Sequence, residues 1–170
     1  MCMSVTDRLR TLEGELRATL GKLSELEEYY RQFRTDFPAV QTERNYDLVL
    51  LADILTDYYT CLETGFLRIS RVFENEVDTR QWHRSLLERM TVDIPTIRPR
   101  VLSDGTFRCL DELMRFRHFR RYYYDRKYDR ERMALLEKAF LRSLPLVRHD
   151  LELFLEFLGQ LVRHPLGEGS

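Results

Sequence analysis

The chain is poor in the residues that turn a backbone, with seven Gly and five Pro in 170 residues. That scarcity disfavours a sheet-rich fold, whose tight hairpins depend on them. Cysteine is scarce too. Cys2, Cys61 and Cys109 are odd in number, far apart and without metal-ligand spacing, so they read as free thiols of a reducing cytoplasm. No apolar run approaches the roughly 20 residues that span a bilayer, so no membrane partner is expected. Ser4, Asp7, Arg8 and Arg10 make the start of the chain polar, unlike the apolar core of a signal peptide. A Gly-rich phosphate loop, H-E-x-x-H, C-x-x-C and G-x-S-x-G are all missing, and with them the commonest signatures of nucleotide, zinc, redox and serine-hydrolase chemistry. No metal and no organic cofactor is implied.

What is present is helical. An apolar content of 44% with 32% charged residues suits a globular domain large enough to bury a core. Val5, Leu9, Leu12, Leu16, Leu20, Leu23, Leu26, Tyr30 and Phe33 recur at steps of three and four, the stripe of an amphipathic helix. Gly14 and Gly21 weaken that helix by roughly 1 kcal/mol each relative to Ala. After a break near Phe37-Pro38, Leu48, Leu51, Leu55, Tyr59, Leu62, Phe66, Ile69 and Phe73 predict a second helix over about 42–77. Asp78 and Gln81 resemble a capping box for a short helix bearing Trp82, Leu86 and Met90. Pro95 and Pro99 mark an irregular link, and Ser103 is a candidate N-cap for a fourth helix. The last stripe runs from Met133 to Leu161, and Pro145 should kink or split it. An all-α, up-and-down bundle of about five helices follows, as one domain over 1–164 with a frayed tail at 165–170.

The net charge of −1 hides an imbalance. Residues 115–132 hold eight Arg or Lys against three acids, so this segment is about +5 and the rest of the chain about −6. Such a patch holds phosphates or meets an acidic partner. Only Lys22, Lys127 and Lys138 are lysines, so the cations are nearly all guanidinium forks suited to phosphate or carboxylate, although codon bias would leave the same imprint. On a helix, Arg117, Arg121 and Tyr124 share one face and His118 lies one turn below Tyr122. Phe116, Phe119 and Tyr123 can serve the core from neighbouring faces. Arginines and stacking rings together suit a nucleotide or RNA; a solvated helix end with core aromatics has the same composition.

Residues 115–124 read Arg-Phe-Arg-His-Phe-Arg-Arg-Tyr-Tyr-Tyr. This resembles the motif region of HepT-like ribonuclease toxins of the HEPN superfamily, which carry Arg-x4-His-x-Tyr, in one subfamily as Arg-Phe-Arg-His-Phe-x-Arg-His-x-Tyr. The likeness extends to Trp82-His83-x-x-Leu86-Leu87-x-x-Met90, to the Ile94-Pro95-x-x-Arg98-Pro99-x-Val101-Leu102-Ser103 link and to Leu110-x-Glu112-Leu113, covering about 45–160. It implies a HEPN-like bundle that cleaves RNA without metal at a composite site across a homodimer. Arg117, position 122 and Tyr124 would then be the motif residues, with His118 in support and Arg115, Arg120 and Arg121 binding RNA phosphate. It further implies that a cognate nucleotidyltransferase antitoxin silences the nuclease by adding AMP to Tyr124, placing charge and bulk where RNA must bind.

Position 122 departs from the pattern, since Tyr122 stands where the family has histidine. A histidine can exchange protons at neutral pH, whereas a tyrosine with its ordinary pKa near 10 is a poor base there. Three readings of Tyr122 are open: a weak or inactive member that keeps its partner, an active variant in which His118 or Arg121 takes over, or an inactivating change in a toxic gene. Accordingly the chain is either a metal-independent endoribonuclease, with tRNA as one candidate substrate, or a binding and substrate subunit of the nucleotidyltransferase. A scaffold bundle facing an acidic protein is the third possibility. Glu63, beside Leu62 and Phe66, reads as an ordinary solvated glutamate, with contact to the arginine cluster as the alternative. His83 reads as a packing residue at a helix end, and the loose Arg142 to His149 spacing, interrupted by Pro145, as chance.

Overall fold

The computed structural model describes residues 4–38, 46–74, 82–122 and 127–164. They form five helices: α1 (Val5–Asp36), α2 (Tyr46–Phe73), α3 (Trp82–Met90), α4 (Asp104–Tyr122) and α5 (Arg130–Arg163). The expected capping box at Asp78 and Gln81 and the tail at 165–170 lie outside the described residues, as does Cys2. Cys61 and Cys109 are free thiols. Among the described residues no helix is long and apolar enough to cross a membrane.

The start signals are local. Ser4 accepts a hydrogen bond from the Asp7 amide at 3.1 Å to cap α1, and Asp129 accepts from the Arg132 amide at 2.7 Å to cap α5. Ser103 caps α4 as its sequence position suggests, taking the Thr106 amide at 3.3 Å. Its own amide donates to Asp150 Oδ2 at 2.8 Å, which ties the start of α4 to α5.

Cross-helix contacts fix the directions. Arg68 pairs with Glu15 and Arg8 reaches the Val72 carbonyl, so α1 and α2 are antiparallel. Arg34 pairs with Glu137 and Arg148 with Glu27, so α1 and α5 are antiparallel as well. Asp47 meets Arg130, Tyr58 meets Ser143 and Phe73 meets Phe154, which makes α2 and α5 parallel. α4 runs against both. The four long helices thus form an up-and-down bundle in which α2 touches every other helix. Its core takes in most of the predicted stripes together with Ile54 and Tyr58, which no stripe included; Tyr58, Tyr59, Phe66, Phe140 and Phe154 are its largest fully buried side chains. Each such side chain contributes roughly 1.5–3 kcal/mol through burial. Val5 is the outlier of its stripe and stands exposed at the first turn.

One expectation needs correction in part. The last helix is not split at Pro145; α5 runs unbroken from Arg130 to Arg163. Pro145 is exposed while Ser143 and Val147 beside it are buried. The single lost donor therefore falls on the water side, and the packed face holds the helix together. The link between α3 and α4 is irregular, as Pro95 and Pro99 predict, and it is held by specific hydrogen bonds. The Val101 and Leu102 amides both donate to the Met90 carbonyl, at 2.7 and 2.9 Å. Arg98, buried, donates to Glu74 and to the carbonyls of Arg89, Val92 and Pro99, clamping the link to the end of α2.

Candidate phosphate-facing site

The site follows from the register of α4 against α2. Arg117 and Arg120 lie three residues apart, one helical turn, and both reach across to α2. There Asp53, Thr56, Thr60 and Glu63, at steps of three, four and three, form a polar stripe beside the apolar one. Antiparallel packing sets the two rows face to face. Arg117 Nε donates to Thr60 Oγ1 at 2.9 Å, and its Nη1 lies 3.0 Å from Glu63 Oε1 and 3.2 Å from Oε2. Arg120 Nε donates to the Tyr128 hydroxyl at 2.9 Å, Nη1 donates to Thr56 Oγ1 at 3.1 Å, and Nη2 pairs with Asp53.

The threonines are suited to this work. Thr56 and Thr60 spend their own hydrogens on carbonyls one turn back, those of Ala52 and Thr56. Their oxygens are therefore left as acceptors, aimed at the guanidinium groups. Tyr128 is held over the same end of α4 by its ring contact with Phe116, 6.1 Å between centroids.

The two stations differ in exposure. The Glu63 side chain is 4% exposed and that of Arg117 20%, whereas Asp53 is 52% exposed against 23% for Arg120. Glu63 is therefore not the solvated glutamate expected from its neighbours; it is buried because the arginine of α4 reaches it. Tyr59 is packed beside this pair. Burial pushes its hydroxyl well above the usual tyrosine range and the charge of Glu63 pushes it further, with Arg117 pulling the other way. For Arg120, burial works against the charge, while the hydrogen bonds to Asp53 and Tyr128 favour it; the net shift is upward.

The remaining candidates are more scattered. His118 and Arg121 are exposed on the last turns of α4. Arg115 is exposed and pairs along its own helix with Asp111 at 2.7 Å, so it is not brought to the α2 stripe. Phe116 is buried and Phe119 half-buried, with the Arg132 guanidinium 5.3 Å from its ring centroid. The α4 backbone extends through Tyr122, but the side chains of Tyr122, Trp82 and His83, and all of residues 123–126 including Tyr123 and Tyr124, lie outside the described residues. Arg142 and His149 are exposed on α5, with no tie to this site. Among the described residues no group of three or more His, Cys, Asp or Glu could hold a metal ion.

Asp53, Thr56, Thr60 and Tyr128 are the parts that sequence reasoning missed. The polar stripe on α2 was a visible signal, but its meaning depended on which helix lies opposite. A helical bundle with paired arginines on the last turns of its penultimate helix, seated on a polar stripe of α2, is the class defined here. The chain belongs to the HepT-like family: a family model described as HepT-like protein matches residues 50–158, from α2 through most of α5. No curated protein and no solved structure matches it.

Proposed function

We propose that this chain is a HepT-like toxin that cleaves RNA at the α4 arginines without a metal ion, and that a cognate nucleotidyltransferase silences it by adding AMP to Tyr124. The observation that carries this reading is the way Arg117 is held. Two of its nitrogens are anchored to Thr60 and Glu63, and Nη2 has no hydrogen-bond partner among the described residues. A guanidinium fixed on one side and open on the other loses little freedom when it takes a phosphate oxygen.

The reaction needs three tasks. A base takes the proton of the ribose 2′-hydroxyl, and the freed oxygen attacks the adjacent phosphorus. The bond to the 5′-oxygen breaks, and that oxygen leaves with a proton from an acid, giving a cyclic phosphate. Arg117 steadies the non-bridging oxygens as charge builds on them. His118 supplies an imidazole on the same helix, and Tyr122 supplies a hydroxyl at the position of the motif histidine. A second copy of the chain completes the site as a homodimer.

The test is restoration of the motif. Purified wild type and Tyr122→His are incubated with tRNA in the presence of a metal chelator. Cleavage should rise about a hundredfold or more in the variant, the usual contribution of a well-placed general base. The tyrosine at 122 also favours a second reading, in which the bundle is a substrate and docking subunit of the transferase. Cleavage by neither protein, together with a mass increase at Tyr124 on exposure to the transferase and ATP, would select it.

A further inference from the structure

Arg120 lies one turn beyond Arg117 and reaches the same stripe of α2, and a carboxylate of its own chain already occupies it. Asp53 pairs with Nη2, and the aspartate is half exposed. Half of that carboxylate's surface is open to solvent, so water can take it over when the arginine finds another anion. Thr56 and Tyr128 stay behind on Nη1 and Nε and keep the guanidinium aimed. The Tyr128 hydroxyl accepts from Arg120, which leaves its own hydrogen available to donate. Glu63 contrasts with this: it is buried, and displacing it would strand its charge in the bundle.

We propose that Arg120, Thr56 and Tyr128 form a second phosphate subsite one turn beyond Arg117, held by Asp53 as a resident anion that an incoming RNA phosphate displaces. This rests on the reading of the α4 end as RNA-facing and adds a device that lowers affinity for single phosphates. A strand that also reaches Arg117 gains enough from the neighbouring contact to displace Asp53. An isolated anion competes with Asp53 alone.

The experiment uses the full-length protein and two probes. One is a 2′-O-methyl oligoribonucleotide, which lacks the nucleophilic hydroxyl and is bound without being cut. The other is inorganic pyrophosphate. Asp53→Asn should tighten both about three- to fivefold at low salt, the scale of a half-exposed ion pair. Asp57→Asn makes the same charge change one turn away on exposed α2 surface and should give a clearly smaller gain. Arg120→Gln should weaken the oligonucleotide and reduce the slope of log affinity against log salt by about 0.7, one single-strand phosphate contact. In the Arg120→Gln background, Asp53→Asn should then give no more than the Asp57→Asn gain. Helical circular dichroism confirms that each variant is folded.

Oligonucleotide binding that responds equally to the Asp53 and Asp57 changes, or as strongly to Asp53→Asn without Arg120 as with it, overturns the subsite and leaves the RNA reading standing. Pyrophosphate binding that tightens with Asp53→Asn while no variant binds oligonucleotide upholds the subsite as an anion site and overturns its RNA occupant. Binding of neither probe overturns both.

Discussion

Arg117 and Arg120 sit one turn apart on the same helix and face the same stripe of α2, yet their surroundings make them different devices. Each has a threonine oxygen and a carboxylate. At Arg117 the carboxylate is buried, and such a pair cannot be opened without stranding the acid's charge. At Arg120 the carboxylate is half in water, where an ion pair is worth little and exchanges readily. Burial of the acid therefore decides whether an arginine serves as a fixture or as a replaceable contact. Identity and spacing of the residues do not.

Removing the two acids should show the contrast at its largest. Glu63→Ala leaves Arg117 facing the bundle without its counter-charge and is expected to cost about 3 kcal/mol, the low end for breaking a buried pair because Arg117 keeps some access to water. Asp53→Ala should cost under about 1 kcal/mol. Urea unfolding of the two variants beside wild type measures both, and equal costs would erase the distinction between the stations.

The next effect is in the alkaline range and belongs to the Arg117 side. Tyr30 is raised to about 12, by burial first and then by its hydrogen bond to Glu137, and burial raises Tyr58 and Tyr59 higher still. In the unfolded chain these hydroxyls ionise near pH 10. Above that pH the unfolded state holds fewer protons than the folded one, so stability falls as pH rises. Below pH 10 the contribution is fully present. Tyr59→Phe removes one such group and should flatten the fall by about 1.4 kcal/mol per pH unit between pH 10 and 12. Unfolding midpoints at pH 9, 10, 11 and 12 give the slope directly. An unchanged slope would mean that the Tyr59 hydroxyl is not enclosed beside Glu63.

The helices themselves were legible because their signal is local: apolar residues at steps of three and four need no partner to be recognised. Ser103 was legible as a cap for the same reason. Pro145 does not split α5, because the cost of a proline depends on which side of the helix meets water. Arg117 was recognisable only through likeness to a motif, since an arginine on a polar helix end is unremarkable by itself. Glu63 and the Asp53, Thr56 and Thr60 row could not be assigned, because their role appears only once α4 lies antiparallel across α2. Cross-helix register is a long-range property, and the sequence pattern of α2 is the same whether that face meets arginines or solvent.

The smallest expected effect is the most specific to the Arg120 station. Tyr128 lies just before α5, held against Phe116, and its hydroxyl accepts from Arg120 Nε. Tyr128→Phe keeps the ring and its packing and removes only that oxygen. Stability should change by well under 1 kcal/mol, because the arginine remains partly hydrated and can take water in its place. Pyrophosphate affinity should fall about twofold, since the guanidinium loses one of the contacts that aim it and the subsite loses a donor. The same substitution in Asp53→Asn separates aiming from competition. If Tyr128 acts by orienting Arg120, its loss is felt equally with and without Asp53. If Tyr128→Phe instead tightens pyrophosphate and that effect disappears in Asp53→Asn, Tyr128 acts by supporting the resident ion pair and not the incoming phosphate.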